Sequence, residues 1–351
     1  MITSAETTPT APQPPVDAGK PRLLRRLLGF VGWVVCVMLL GWATLALYYS
    51  PMPSAARVGC AVLFALLSLS LLIFSRPRWK GLLGFLALFA AVLCWWLLRT
   101  PSNKRDWQPD VALLPYATFA GDEVTVHNVR NCDYRSETDY DVRHYDHTYN
   151  LSHLQTADLF MVYWGSPMIC HTMVSFGFDG AQYLCISIET RKEKGEGYSA
   201  IKGFFREFEL TYVVADERDL VRLRTNFRHE DVYLYRLQSK PEVVRKSFVN
   251  YLQKVNSLYE RPEWYNAFSG NCTTSIRQHT RPYAAKSVRS WKILVNGFLD
   301  ELIYENGAFD QSLPLPELKK RSHVNERAQA AGSATDFSQR IREGLPGMKT
   351  N

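Results

Sequence analysis

The stretch HTMVSFGFDGAQYLCISIET, residues 171–190, alternates with period two on both sides of Asp179-Gly180. Period two is the mark of a strand, and a short Gly-containing connection joins two such strands as an antiparallel hairpin. With Asp179-Gly-Ala181 as the loop, Val174 faces Ile186 and Phe176 faces Leu184 on one face. The same register sets His171 opposite Glu189. A register two residues away puts Ser187 there instead, and Glu189 also has Arg191 and Lys192 beside it as ion-pair partners.

Strand-like runs recur at residues 123–129, 159–164, 207–215 and 232–237, with no internal repeat. Ser239 and Pro241 open a helix whose apolar positions Val244, Phe248, Tyr251, Leu252, Val255 and Tyr259 recur at helical spacing and stop before Pro262. A short helix starts at Cys272, and residues 291–304 read as another. These elements predict one α+β domain over residues 116–318, with an antiparallel sheet and packed helices. Beyond it, residues 319–351 are charged and rich in Ala, Gly and Ser, the composition of a loosely packed tail.

Upstream lies a different kind of sequence. Residues 27–49, 57–74 and 81–98 are almost wholly apolar, and about 20 such residues cross a bilayer. Trp95-Trp96 and Tyr48-Tyr49 stand near run ends, where aromatic residues favour the membrane interface. The first run is longer than the apolar part of a signal peptide, and two more spans follow it. Lys20, Arg22, Arg25 and Arg26 precede the first span; Arg76, Arg78 and Lys80 lie between the second and third. The first loop, residues 50–56, carries no charge. By the positive-inside rule the extension 1–26 is cytoplasmic, the anchor spans 27–98, and everything from Arg99 onward lies outside, beginning with a polar connector at 99–115. The short extension and tight loops suit a bacterial inner membrane, which makes the outer domain periplasmic. Lys104 and Arg105 sit on the wrong side for this rule, but long domains translocate regardless of such charges.

A net charge of +7 does not indicate nucleic acid, because bases and acids interleave, as in Arg218, Asp219, Arg222 and Arg224. A basic surface beside anionic lipid explains it more simply. At 46% hydrophobic and 13% aromatic residues the chain is not disordered. Seven cysteines divide into Cys36, Cys60 and Cys94 within the apolar runs and Cys132, Cys170, Cys185 and Cys272 outside, with no CxxC pair or zinc spacing. His144 and His147, which meet on one face if helical, form with His153 a weak alternative metal cluster in a tyrosine-rich segment; no metal or other cofactor is expected.

Cys272 is the candidate nucleophile. It follows Gly270-Asn271 at a helix start, where free N–H groups lower a thiol pKa and offer oxyanion donors. Its own N–H and the Asn271 side chain are the candidate donors. His171 is the candidate base, with Glu189 to hold its tautomer and charge. A disulfide from Cys272 to Cys132, Cys170 or Cys185 would remove the nucleophile.

The order of these parts resembles a known family. His171-Thr172 on a strand, Ser187-Ile-Glu-Thr-Arg191, then Trp264-Tyr-Asn266 shortly before Asn271-Cys-Thr273 resembles the Lnb family, the periplasmic domain of lipoprotein N-acyltransferases that make the lyso form of lipoproteins. The likeness runs from about residue 118 to 280. His first and Cys later at a helix start is also the order of circularly permuted papain-like folds, the group holding NlpC-type peptidases and lecithin:retinol acyltransferase. The resemblance implies a Cys–His thiol enzyme with Cys272 as nucleophile and His171 as base; Glu189 is the third member by the hairpin register alone, and Asn271, Ser187 and Tyr265 are the candidates for oxyanion or positioning roles. It implies a lipoprotein or phospholipid acyl donor beside membrane lipid, and transfer of the chain to an amine. A membrane-tethered peptidase or amidase of the envelope would use the same dyad, and a non-catalytic envelope binding protein would need none of it. An apolar groove at Cys272 favours acyl transfer; an open polar cleft favours peptide hydrolysis.

Overall fold

The computed structural model describes residues 20–179, 182–267, 270, 272–280, 290–293 and 295–348. The chain divides into two units, Met1–Arg99 and Thr100–Asn351. The first holds three helices, α1 (Lys20–Tyr48), α2 (Ser54–Phe74) and α3 (Arg78–Leu98), each long and apolar enough to cross a membrane. Leu28, Phe30, Trp33, Met38, Leu66 and Phe74 point outward without protein cover, as in helices solvated by lipid. Their mutual seam is small and aromatic: Ala43, Phe64 and Phe85 are buried, and Trp42 meets Phe89 and Trp96 at 5.8 and 5.3 Å. At Gly81 a Cβ would lie 2.2 Å from the Leu71 carbonyl oxygen, so close approach of α2 and α3 requires glycine there.

In the second unit the connector is not slack. Ser102 N–H donates to Glu209 at 3.0 Å, and Asn103 donates to the Leu258 and Tyr259 carbonyls, each at 3.0 Å. Arg105 pairs with Glu193 and Glu209, each at 2.8 Å, which gives that out-of-place charge a purpose inside the domain. A single turn, α4 (Pro109–Ala112), follows, its carbonyls held by the Arg191 guanidinium that stacks on Trp107.

Strands β1 (Tyr116–Ala120), β2 (Glu123–Arg130), β3 (Asp133–Tyr134), β4 (Tyr140–Asp141) and β5 (His144–Asn150) lead to the long pair β6 (Leu154–Tyr163) and β7 (Cys170–Phe178), then β8 (Gln182–Arg191) and β9 (Glu209–Ala215). After α5 (Glu217–Arg222) and a π-helical turn, Leu223–Phe227, comes β10 (Asp231–Arg236). The main sheet runs β1-β2-β9-β8-β7-β6-β10, with β5 on β2; β3 and β4 pair apart. All pairings are antiparallel except the Arg130–Ala215 link between β2 and β9, which is parallel. The central hairpin has the register read from sequence: Val174 pairs with Ile186 and Phe176 with Leu184. Asp179 takes a positive φ of 42° at the turn.

Helix α6 (Pro241–Glu260) presents Val244, Phe248, Tyr251, Leu252 and Val255 to Val174, Phe176 and Ile186. The opposite sheet face is covered too, so every position of β7 is buried. Here the expectation of a loose tail fails. After α7 (Cys272–Thr280) and α8 (Leu299–Glu305), helices α9 (Leu315–Arg321), α10 (Asn325–Ala331) and α11 (Phe337–Arg340) fold back. Val324, Ala328, Phe337 and Ile341 seal Phe160, Val162, Met173 and Cys185. Arg342 then ties the tail down, bonding Asp158 at 2.9 Å and Glu217 at 2.6 Å over the Tyr183 ring. A polar average concealed a few apolar residues at the right spacing.

Two further expectations need correction. Residues 291–304 are not one helix: tight turns at Trp291–Ile293 and Asn296–Phe298 precede α8. Gly297 passes close to the 167–168 segment at this break, where a Cβ would lie 2.1 Å from the Pro167 carbonyl oxygen. His144 and His147 lie on strand β5, where an odd separation sends them to opposite faces, so the helical spacing behind the metal reading is absent.

Candidate active site

The open end of the central hairpin, opposite the Asp179 turn, gathers the chemistry. His171 is the second residue of β7 and Glu189 lies near the end of β8, where the hydrogen-bonded ladder between them has stopped at Met173–Ser187. Their side chains still meet: His171 Nε2 lies 3.3 Å from Glu189 Oε1. Ser187 sits between them, 2.7 Å from His171 Nε2, and donates its hydroxyl to Glu189 at 2.7 Å. Serine and glutamate therefore share the role for which the two candidate registers competed.

The thiol arrives from the other end of the chain. Leu210 N–H donates to the Glu263 carbonyl and Tyr265 N–H to the Phe208 carbonyl, so residues 263–265 run alongside the start of β9. A turn closed by Gly270 N–H to the Asn266 carbonyl then delivers Cys272 as the first residue of α7, buried against β7 and β8. Its thiol and the His171 imidazole are near enough for each to shift the other's titration. With Nε2 engaged by Ser187 and Glu189, Nδ1 is the nitrogen left for the thiol.

Burial alone would raise the Cys272 pKa, yet the hydrogen bond and charge of His171, helped by the Thr172 backbone N–H, bring it down to about 6. Burial likewise opposes the imidazolium, but the Glu189 carboxylate and the Cys272 sulfur raise His171 to about 9. The result at neutral pH is a thiolate beside an imidazolium. No other outer cysteine shares this: burial holds Cys170 and Cys185 well up, and burial with nearby Asp219 pushes Cys132 up to about 12. All seven cysteines are free, so no disulfide claims Cys272.

Glu189 is itself held. Against the cost of burial, His171 and then Arg224 keep it well below the usual carboxylate range. Arg224 Nη2 donates to Glu189 at 2.9 Å and Nη1 to Glu230 at 3.0 Å. Arg224 and Glu230 were not legible beforehand. In sequence Arg224 is one of several interleaved bases; only the widened π turn that carries it aims it at β8. Tyr198, also missed, bonds Tyr265, and both rings feel the Cys272 and Glu189 charges. Tyr265 thus stands at the site. Asn271 lies outside the described residues.

One residue past the thiol, Thr273 forms part of the wall of a cavity of about 340 Å³. Its lining is mostly apolar, with Val174, Phe176, Val244, Ile276, Leu299 and Leu302 from the sheet, α6, α7 and α8. Asn296 fixes that mouth: its side chain donates to Thr273 at 2.8 Å and to the Cys170 carbonyl at 2.7 Å.

No curated protein and no solved structure matches this chain. Residues 140–297, which contain Cys272, His171, Ser187, Glu189, Arg224 and Tyr265, match the family model described as the Lnb N-terminal periplasmic domain; that stretch is similar to this family's domain, and three candidate membrane helices precede it.

Proposed function

We propose that this protein is a membrane-anchored thiol acyltransferase, taking an acyl chain from a lipoprotein diacylglyceryl group or a phospholipid and passing it to an amine. The observation that carries the reading is the placing of Cys272 at the start of α7 against the His171-bearing strand, one residue from an apolar cavity. The thiolate attacks the ester carbonyl, and the tetrahedral intermediate expels the glyceryl oxygen, which takes its proton from the His171 imidazolium. That leaves an acyl thioester on Cys272 and a neutral imidazole. The amine then attacks the thioester carbonyl, gives a proton to His171, and releases the thiolate as the amide forms. Glu189, fixed by Ser187 and Arg224, favours the imidazolium at each return. The first N–H groups of α7 suit the developing oxyanion.

A peptidase or amidase could run the same dyad, but the cavity beside the thiol offers hydrocarbon walls rather than a polar cleft. The permuted papain-like fold also belongs to this reading; the order of a His-bearing strand followed by a Cys-bearing helix on an antiparallel sheet supports it. A cytoplasmic N-terminus in a bacterial inner membrane rests on Arg25 and Arg26 near the start of α1, and on Arg76 between α2 and α3 with Arg78 and Lys80 in the first turn of α3. Mass spectrometry of lipoprotein N-termini from cells expressing the wild type or Cys272→Ala tests the activity. Lyso-form, N-acylated termini appear only with the wild type; identical termini from both would reject it.

A further inference from the structure

Among the described residues, eight large apolar side chains outside the membrane helices stand 46–58% exposed; besides Leu113 and Tyr259 they are Met168, Ile169, Tyr198, Ile201, Phe204 and Trp291. Single exposed apolar residues mean nothing. These six lie on segments that meet at the thiol from two sides. The Met168 carbonyl accepts from Gly297 N–H at 3.0 Å, and Asn296 beside it holds both Cys170 and Thr273. Trp291 packs on Phe298 at 5.3 Å, in the same group. On the other side Tyr198 stacks on Phe208 at 6.5 Å, the Phe208 carbonyl accepts from Tyr265 N–H, and the turn Lys202–Phe204 rests on the Tyr265 ring through Gly203. The hydrocarbon is therefore arranged as a collar around the nucleophile, on turns braced from beneath.

We propose that this collar is a lipid-docking surface, seated in the outer face of the bilayer so that an acyl donor reaches Cys272 without crossing water. The occupant follows from the tether. Helix α3 ends at Leu98, and Ser102 is already hydrogen bonded to the buried Glu209. The chain from Leu98 to Ser102 extends to roughly 14 Å at most, so Ser102, where the domain's own hydrogen bonds begin, is tethered within that length of the end of a candidate membrane helix. Tyrosine and tryptophan among aliphatic side chains are the composition that partitions to a bilayer interface. The consequence for catalysis rests on the acyl-transfer reading; the contact with lipid does not.

The test uses the full chain in nanodiscs of phosphatidylethanolamine and phosphatidylglycerol doped with a phospholipid carrying a diazirine on its acyl chain, irradiated and mapped by peptide mass spectrometry. Wild type and Cys272→Ala are compared. Peptides covering residues 164–169, 198–204 and 290–293 should label at least about fivefold above the peptide holding Phe119, an exposed apolar residue on β1, in both proteins. Labelling confined to α1–α3, with collar peptides no more labelled than the Phe119 peptide, would overturn the proposal. Collar labelling without any acyl-Cys272 would leave docking intact and remove the transferase; acyl-Cys272 with a silent collar would do the reverse.

Discussion

At the scale of single residues the account turns on opposite charges acting on one imidazole. Glu189 raises the His171 pKa and Arg224 lowers it. For kcat/KM the thiol must be ionised and the imidazole protonated, which predicts a bell with an acid limb near 6 and an alkaline limb near 9 for the coupled pair. Replacing Glu189→Gln removes the counter-charge, so the alkaline limb should move to lower pH, with a rate loss of about 10²- to 10⁴-fold. Arg224→Gln should move the same limb upward. A pH–rate series on both variants checks the signs; shifts in the same direction would contradict the arrangement. Cys272, His171 and Glu189 could be picked out because each rests on local sequence, a helix start or a hairpin register. Arg224 and Tyr198 could not, since their partners lie on elements whose packing no local pattern encodes.

Among the elements, α6 and the cavity it shares with α7 and α8 carry the most weight. Phe248 is fully buried against Phe176 and Phe178. Phe248→Ala should cost about 3–5 kcal/mol in denaturant unfolding of the solubilised chain. Ile276 lines the cavity from α7, and Ile276→Phe should shorten the space available to an acyl chain. Turnover of a long-chain donor should fall by about tenfold or more while a short-chain donor loses much less. An equal loss for both lengths would mean that the cavity does not hold the chain. The α6 face was readable because six apolar residues repeat at helical spacing without interruption. The region after α7 was not: the apolar residues there also fit a single helix, whereas the chain makes two tight turns before α8, held against the 167–170 segment by Gly297 and Asn296.

For the whole molecule, the tail is part of the fold rather than an appendage. Arg342 neutralises Asp158 and Glu217, both fully buried, at the back of the central hairpin whose other end carries His171. Arg342→Ala should therefore destabilise the domain by about 3–5 kcal/mol, read as a lower Tm of the solubilised chain, because buried Glu217 loses its cationic partner and buried Asp158 is left with Arg236 alone. The membrane helices were plain in the sequence, since twenty apolar residues in a row have few other uses. The tail was misjudged because its few core residues are diluted by charge. The most direct test of the central claim is mass spectrometry of Cys272 in the full chain isolated from its own membranes under acidic conditions. The account predicts a hydroxylamine-sensitive acyl adduct on Cys272 that is absent from His171→Ala protein. A Cys272 peptide that is never acylated, with lipoprotein N-termini unchanged by its replacement, would contradict it.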